Sequence, residues 1–307
     1  NMKVLFAGSP ESSARILNSI IEKGLEVVGV ISQPDKRSQR GNGKEPSPVS
    51  REALKLGIPT FKPIALDKSF KKEIDLLDFD FLLVSAYGKI LPDWLLESPD
   101  ISPINIHFSL LPKYRGASPI QAAILNDDTK TGVSIMKMIK GMDEGPVYYL
   151  HDVEILGMDS RRDLENKLTS LCIQNIVNDL NNIFSKRVIP IEQNNADVSY
   201  CKKIDKLSGK IEFSKENTSV ILQKHKAYFG WPGLYFKKNN TLIKIHGLEE
   251  YQGNVEDLEI KFYKFIPKGL VVKTADALIV ITHLQFPGKR IIPAADAANS
   301  YAKFFEE

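Results

Sequence analysis

Cysteine is scarce in this sequence, which has only Cys172 and Cys201 among its 307 residues. Neither belongs to a Cys-x-x-Cys pair and the five histidines are scattered, so neither a zinc site nor a disulfide framework is expected. No apolar run approaches the roughly 18 residues of a membrane span. Residues 2–8 are typical of a core strand rather than of a signal peptide. The sequence therefore predicts a cytoplasmic protein without a metal ion.

Charge of either sign shows little excess, with 41 basic and 38 acidic side chains and a net charge of +3. Residues 1–204 carry 26 of each sign, so the whole excess falls in residues 205–307. This balance argues against indiscriminate coating of a nucleic-acid backbone, although a local basic surface could still bind one RNA. The length predicts about two domains.

Glycine-rich phosphate motifs are also missing. Neither Gly-x-Gly-x-x-Gly nor Gly-x-x-x-x-Gly-Lys-Ser/Thr occurs, and the turn at residues 6–10 has a single glycine. An enzyme that uses NAD or ATP is therefore not expected.

The first part of the chain alternates short apolar runs with helical patterns. Strands are predicted at residues 3–8, 26–31, 78–84, 104–108, 132–138 and 147–150. A long amphipathic helix is predicted over 160–184, with Cys172 at a core position. This order predicts an α/β fold with a Rossmann-like, mostly parallel sheet covered by helices on both faces.

A polar stretch without periodicity, residues 189–204, is interpreted as a linker. It separates a predicted catalytic domain, residues 1–188, from a C-terminal domain, residues 205–307. Short, turn-bounded strands after a helix near 217–228 predict a small OB-like β-barrel there. Trp231 is expected to be a core aromatic of that barrel rather than a ring that stacks on an RNA base.

The strongest chemical signal is a polar row on the strand near residue 105. Asn105, His107 and Ser109 alternate with apolar residues, so they should share one face at the carboxyl end of the strand. Polar side chains in a buried strand are costly unless they are partnered or functional. A lone histidine would more often be a satisfied core residue, but three polar residues before a Pro-Lys-Tyr-Arg-Gly turn favour a site.

A second signal is the Gly-Met-Asp-Glu-Gly segment at residues 141–145, after the next predicted strand. Its glycines would let the loop fold tightly and bring Asp143 inward, where a carboxylate can orient a histidine. Taken alone, the segment would be a plain turn with a solvated acid.

A third signal is the loop of residues 33–48, which lacks large apolar side chains. Four basic residues against Asp35 and Glu45 give it a local charge of +2, which suits a phosphate-bearing partner. Those basic residues are Lys36, Arg37, Arg40 and Lys44. A disordered, solvated loop is the alternative.

These residues suggest group transfer without a covalent intermediate, since no serine or cysteine lies in a nucleophile elbow. Asn105 could donate a hydrogen bond to a developing oxyanion, and His107 could donate one or move a proton. Asp143 could hold His107 and help to deprotonate an attacking amine.

With these motifs in place, the chain resembles the methionyl-tRNA formyltransferases, which belong to the superfamily that uses 10-formyltetrahydrofolate. The resemblance rests on Asn105-x-His107-x-Ser109-Leu110-Leu111-Pro112-x-x-Arg115-Gly116 and on Asp143-x-Gly145. It implies that Asn105, His107 and Asp143 are catalytic. It also implies folate contacts from Ser109, Leu110, Leu111 and Pro112, and a pterin pocket at residues 85–92 with Tyr87, Gly88 and Ile90.

The resemblance further implies that 10-formyltetrahydrofolate is the co-substrate and that initiator methionyl-tRNA accepts the formyl group in translation initiation. Arg40 matches an arginine expected to reach the tRNA acceptor end. We expect a monomer that needs no metal. Two alternatives remain, a formyltransferase for a sugar nucleotide or another small amine, and an RNA-binding module without catalytic activity.

Overall fold

The computed structural model describes residues 1–306, which form two compact units. The first unit comprises Asn1–Pro119, Thr129–Ile155 and Leu164–Lys202. The second comprises Ile120–Asp128, Leu156–Asp163 and the chain from Lys203 onward.

Strands and helices alternate through residues 1–184. The strands are β1 (Lys3–Gly8), β2 (Glu26–Ile31), β3 (Lys36–Arg37), β4 (Lys44–Glu45), β5 (Thr60–Phe61), β6 (Phe81–Ser85), β7 (Ser102–His107), β8 (Lys130–Lys137) and β9 (Val147–Glu154). The helices are α1 (Glu11–Glu22), α2 (Pro48–Lys55), α3 (Lys68–Ile74), α4 (Asp93–Leu96), α5 (Pro119–Leu125) and α6 (Arg161–Phe184).

The main sheet has the strand order β5-β2-β1-β6-β7-β8-β9. From β5 to β7 all neighbours pair in parallel, and β8 and β9 are added antiparallel. Its central strands β1 and β6 are buried almost throughout, as expected for strands covered on both faces. The predicted Rossmann-like, mostly parallel sheet is confirmed.

The parallel strands place several predicted site segments at one edge of this sheet. Because β1, β2, β6 and β7 run the same way, their carboxyl ends lie at a common edge. The chain leaves that edge after β2 into the basic loop, after β6 into residues 85–92, and after β7 into the turn that follows His107. Open α/β sheets bind their ligands at this edge.

The basic loop forms a short two-stranded ribbon. β3 and β4 pair antiparallel, with Lys36 opposite Glu45 and Arg37 opposite Lys44. Ser38 Oγ donates a hydrogen bond to a carboxylate oxygen of Glu45 at 2.9 Å. The segment therefore has a defined conformation, which the sequence had not predicted.

The long helix α6 agrees with its predicted span. Asp163 accepts from the backbone N–H of Ser160, and the hydroxyl of Ser160 accepts from the N–H of Asp163, which is the reciprocal pattern of a capping box. Cys172 is buried on this helix, as predicted, and burial raises the pKa of its thiol.

The second unit contains α7 (Thr218–Ala227), α8 (Ala298–Phe305) and an antiparallel sheet. The strands are β10 (Leu234–Lys238), β11 (Thr241–Glu250), β12 (Tyr263–Ile266), β13 (Gly269–Lys273), β14 (Leu278–Gln285) and β15 (Ile292–Pro293). They pair in the order β10-β11-β14-β13-β12, with β15 on β14. The sheet is curled, as shown by the contact between its two end strands: Phe236 on β10 stacks on Tyr263 of β12, with 6.3 Å between the ring centroids.

The prediction that Trp231 is a core aromatic is wrong, since this side chain is 50% exposed. It lies in the turn between α7 and β10, where Gly230 has a φ of +86°. This turn leaves half of the Trp231 side chain uncovered, so the ring lies at the surface. Among residues 1–306, no helix is both long and apolar enough to cross a membrane.

Candidate active site

The three residues predicted to be catalytic lie together at the carboxyl end of β7. Asn105 and His107 are two positions apart on this strand, which places both side chains on one face. Nδ2 of Asn105 is 3.5 Å from Oδ1 of Asp143, and Nδ1 of His107 is 3.8 Å from Oδ2. The His107 and Asp143 side chains are only 7% and 13% exposed. Two polar groups and a carboxylate therefore share a shielded edge of the sheet.

The loop between β8 and β9 brings Asp143 to this point through a special backbone conformation. Asp143 has a φ of +55°, a region that aspartate tolerates better than most residues. Gly145 approaches the chain closely, since a Cβ atom there would lie 1.8 Å from the carbonyl oxygen of Lys137. Oδ2 of Asp143 accepts the backbone N–H of Gly116 at 2.8 Å. The tight loop predicted from the two flanking glycines thus needs glycine at residue 145.

A hydrogen bond at Nε2 of His107 determines which ring nitrogen carries the hydrogen in the neutral form. Nε2 lies 2.9 Å from the carbonyl oxygen of Tyr114, which can only accept, so Nε2 carries a hydrogen. In the neutral ring Nδ1 is then the free lone pair, and it faces Asp143. Nδ1 is thus the ring nitrogen through which His107 can exchange a hydrogen with a neighbouring group.

The polar groups of the turn after β7, residues 109–113, form hydrogen bonds within the protein. Ser109 is fully buried, and its hydroxyl donates to the carbonyl oxygen of Lys113 at 2.5 Å. Ser134 ties the turn to β8 by donating to the carbonyl of Ser109 and accepting from the N–H of Leu111. The Leu111–Pro112 peptide is cis. Leu110 and Pro112 are the partly exposed apolar members of this predicted folate contact.

The predicted pterin stretch divides into a buried and an exposed part. Tyr87 is 2% exposed and packs in the core beneath the sheet, where burial raises its pKa to about 12. Its hydroxyl has no hydrogen-bond partner within residues 1–306. Ile90 is 93% exposed, and Gly88 has a φ of +88°. The ligand-accessible groups of this stretch are therefore Ile90 and the backbone rather than the phenol of Tyr87.

The predicted tRNA-contacting residues form a separate group on the ribbon. All four are exposed: Lys36, Arg37, Arg40 and Lys44. The start of the ribbon is held by an ion pair between Lys62 and Asp35, with 2.7 Å between Nζ and Oδ1. It is also tied to the pterin stretch, because Gln33 Nε2 donates to the carbonyl oxygen of Tyr87 at 2.9 Å.

Several residues that support the site were not predicted, because they lie in the segment interpreted as a linker. Gln193 contacts both the Asp143 loop and Arg115. Ser199 Oγ accepts the N–H of Tyr114 at 3.0 Å, and Cys201 Sγ accepts the N–H of Ser118 at 3.2 Å. The polar, aperiodic sequence of residues 189–204 carries no signal for these contacts, which arise only from tertiary structure.

Comparison with known proteins decides the family. Residues 1–180 match the family described as formyl transferase, and residues 203–302 match its C-terminal domain. A methionyl-tRNA formyltransferase from Sulfurihydrogenibium is 39% identical over 98% of this chain and 97% of its own length. The chain belongs to the methionyl-tRNA formyltransferase family. Its activity is therefore formyl transfer, and the alternative of an RNA-binding module without catalysis is set aside.

Solved structures share the fold of this methionyl-tRNA formyltransferase family member. HypX from Aquifex aeolicus, in complex with tetrahydrofolic acid, has a TM-score of 0.67 at 15% identity. That match covers 99% of this chain and 48% of HypX. An N-formyltransferase from Helicobacter canadensis, in complex with folinic acid and dTDP-3-aminofucose, has a TM-score of 0.67 at 21% identity. It matches 92% of this chain and 99% of its own.

The family uses folate derivatives. Within residues 1–306 no group of three or more His, Cys, Asp or Glu residues is arranged to hold a metal ion. The site brings together an amide donor, an imidazole and a carboxylate, a combination that suits charge stabilisation and proton transfer during acyl transfer.

Proposed function

We propose that the chain transfers the formyl group of 10-formyltetrahydrofolate to the α-amino group of methionine on initiator tRNA. The observation that carries this proposal is the meeting of Asn105, His107 and Asp143 at the carboxyl edge of the sheet in a chain of this family. We place the reaction in the cytoplasm and expect a monomer to carry it out.

In the proposed reaction the amine nitrogen attacks the formyl carbon and the formyl oxygen becomes an oxyanion. Asn105 has two N–H groups on Nδ2, and its contact with Asp143 is long at 3.5 Å, so one hydrogen can turn to the oxyanion. His107, protonated at Nδ1, supplies a second donor. Donors placed at a developing oxyanion are worth about 100- to 1000-fold in rate.

The proton balance assigns the carboxylate its role. The attacking amine loses a proton as the new C–N bond forms, and Asp143, which also orients His107, assists that removal. Collapse of the intermediate breaks the bond between the formyl carbon and N10 of the folate. N10 receives a proton in exchange, which leaves tetrahydrofolate and the formylated amine.

A tRNA acceptor is supported by two basic surfaces, one in each unit. The first is the ribbon with its four exposed basic side chains. The second is a cavity of about 370 Å³ in the second unit, which combines lysines with aromatic rings. Its lysines are Lys210, Lys215, Lys237 and Lys273, and its aromatics are Phe213, Phe236, Phe262 and Tyr263.

The charge of this cavity remains positive after its ion pairs are counted. Glu212 lies 3.9 Å from Lys210 and 3.0 Å from Lys215, measured between nitrogen and carboxylate oxygen. Lys237 and Lys273 form no ion pair within residues 1–306. Free ammonium groups beside aromatic rings match the phosphates and bases of RNA.

The alternative substrate is a sugar-nucleotide amine, because a structural neighbour was solved with dTDP-3-aminofucose. The test is a transfer assay with 10-formyltetrahydrofolate that offers charged initiator tRNA and a dTDP-amino sugar side by side. We expect formyl-methionyl-tRNA as the main product. Faster formylation of the amino sugar would overturn the choice of acceptor while leaving formyl transfer intact.

A further inference from the structure

The side-chain amide of Gln193 joins two loops of the candidate active site. Its Nε2 donates to the carbonyl oxygens of Asp143 and Gly145 at 2.8 and 2.7 Å. Its Oε1 accepts from Nε and Nη2 of Arg115 at 3.1 and 3.0 Å. Both hydrogens and both lone pairs of the amide are therefore used.

The partners of Gln193 leave its amide only one orientation. Arg115 can only donate and the two carbonyl groups can only accept, so the oxygen must face Arg115 and the nitrogen must face the loop. Arg115 is 5% exposed, and no carboxylate within residues 1–306 pairs with it. A buried guanidinium that meets a neutral amide rather than an acid is unusual, because burying a charge is costly without an anionic partner.

Both segments that Gln193 connects contact the candidate catalytic residues His107 and Asp143. Tyr114, next to Arg115, accepts the hydrogen on Nε2 of His107, and Gly116, on the other side, donates to Asp143. Asp143 itself has a positive φ, and the flanking carbonyls of its loop are held by Gln193. The carboxylate is thus fixed from one side by Gly116 and from the other through its own backbone.

We propose that Gln193 is a positioning residue for formyl transfer, which sets the place of the Asp143 carboxylate relative to His107, and that Arg115 holds Gln193 in the required orientation. The inference rests on the proposed role of Asp143. Gln193 acts through the backbone of the loop and touches no substrate. Misplacing a reacting group by about 1 Å can reduce a rate by about 100-fold, and a loss of this size is expected when Gln193 no longer holds the loop.

The test is the substitution Gln193→Glu, which keeps the size of the side chain and its contact with Arg115. It replaces the donating nitrogen by an oxygen that faces two carbonyl oxygens, so the Asp143 loop must shift. We expect kcat to fall about 100-fold, with KM for the folate and for the tRNA within about threefold of wild type. Gln174→Glu, an exposed glutamine on α6, is the matched control and should retain full activity.

A double-mutant cycle separates positioning from general destabilisation. Once Asp143 is replaced in Asp143→Asn, adding Gln193→Glu should reduce kcat by less than about threefold, because both changes act through one group. A full additional loss of about 100-fold, or a rise in KM with unchanged kcat, would overturn the proposal. If Gln193→Glu does not fold, Arg115→Lys gives the same test, since it weakens the hold on Gln193 and keeps the charge.

The same measurements distinguish this inference from the proposed function. Wild-type protein that does not formylate charged tRNA would contradict the function. Wild-type activity with an inactive Asp143→Asn variant and a fully active Gln193→Glu variant would contradict only the positioning role.

Discussion

The backbone N–H of Gly116 donates a 2.8 Å hydrogen bond to Oδ2 of Asp143, the oxygen that also lies 3.8 Å from Nδ1 of His107. Hydrogen bonds to an ionised carboxylate are stronger than those between neutral groups. The bond therefore holds the Asp143 carboxylate next to the nitrogen of His107 that is free to gain a proton. Because Gly116 belongs to the turn that follows β7, the strand and the Asp143 loop are fixed to each other through this contact.

Asp143→Asn should lower kcat by about 100-fold or more, because an amide can neither take a proton from the amine nor stabilise an imidazolium. Asparagine tolerates the positive φ of residue 143 as aspartate does, so the loop should keep its conformation. Single-turnover assays with charged tRNA measure the effect, and thermal melting checks the fold. Near-normal turnover would remove Asp143 from the reaction.

Asn105→Ala and His107→Ala should each lower kcat by about 100- to 1000-fold or more, the range expected when one oxyanion donor is removed. Both residues lie on a strand whose backbone pairing does not depend on these side chains, so the variants should fold. Folate binding, followed by equilibrium titration, is the control and should persist. A variant that loses folate binding and activity together would indicate a damaged fold instead.

The α/β architecture could be predicted because its signals are local. Apolar runs such as Lys3–Gly8 and Phe81–Ser85 need two covered faces wherever they occur, and that requirement implies a parallel sheet. The polar row of Asn105 and His107 was visible for the same reason, since it breaks the apolar pattern on a strand. Asp143 could be predicted from its flanking glycines, although its own positive φ could not.

The supporting contacts could not be predicted, because they depend on residues distant in the chain. Gln193 lies 50 positions from Asp143 and 78 from Arg115, in a stretch with no periodicity. Hydrogen bonds of this kind leave no mark on local composition. The predicted burial of Trp231 was wrong for a related reason. Aromatic residues are buried only on average, and the sequence does not show that this one lies in a turn that leaves it half exposed.

Tyr87→Phe should raise the free energy of unfolding by about 1 kcal/mol at neutral pH, because it removes a buried hydroxyl that has no partner within residues 1–306. It should leave KM for the folate unchanged, since this hydroxyl is inaccessible to ligand. Denaturant melts and steady-state kinetics measure the two effects. A rise in KM would show that the phenol reaches the folate after a rearrangement.

The pH dependence of stability gives an independent check on Tyr87. Burial raises the pKa of its phenol from 10.0 to about 12, so the unfolded chain releases this proton before the folded chain does. Stability is then lost as the pH rises from about 10 towards 12. The Tyr87→Phe variant should show a shallower alkaline decline than wild type, and equal slopes would contradict the burial argument.

Lys237→Glu together with Lys273→Glu should weaken tRNA binding, because the two ammonium groups without ion pairs in the second-unit cavity are reversed in charge. The slope of the logarithm of the binding constant against the logarithm of salt concentration should also become shallower, by the amount expected for the loss of about two phosphate contacts. Lys303→Glu, an exposed lysine of α8 that does not line the cavity, is the matched control. Binding measured across a salt series decides the point, and unchanged slopes would exclude the cavity as an RNA contact.

Arg40→Ala should raise KM for charged tRNA while leaving folate binding unchanged. Arg40 is exposed near the tip of the ribbon, where its backbone N–H donates a hydrogen bond to Ser38 Oγ, and replacing its side chain should not disturb the fold. Removal of one phosphate or base contact corresponds to about a 10-fold loss in affinity. Lys72→Ala, an exposed lysine on α3, is the control for a general loss of positive charge.

The salt series sharpens the interpretation of Arg40→Ala. If Arg40 contacts a phosphate, the variant should show a smaller salt dependence of KM for tRNA by about one contact, whereas a base contact would leave the slope unchanged. Both results would place Arg40 on the RNA. Equal losses in tRNA formylation and folate binding would instead show that the ribbon supports the fold of the first unit, and would remove it from the tRNA interface.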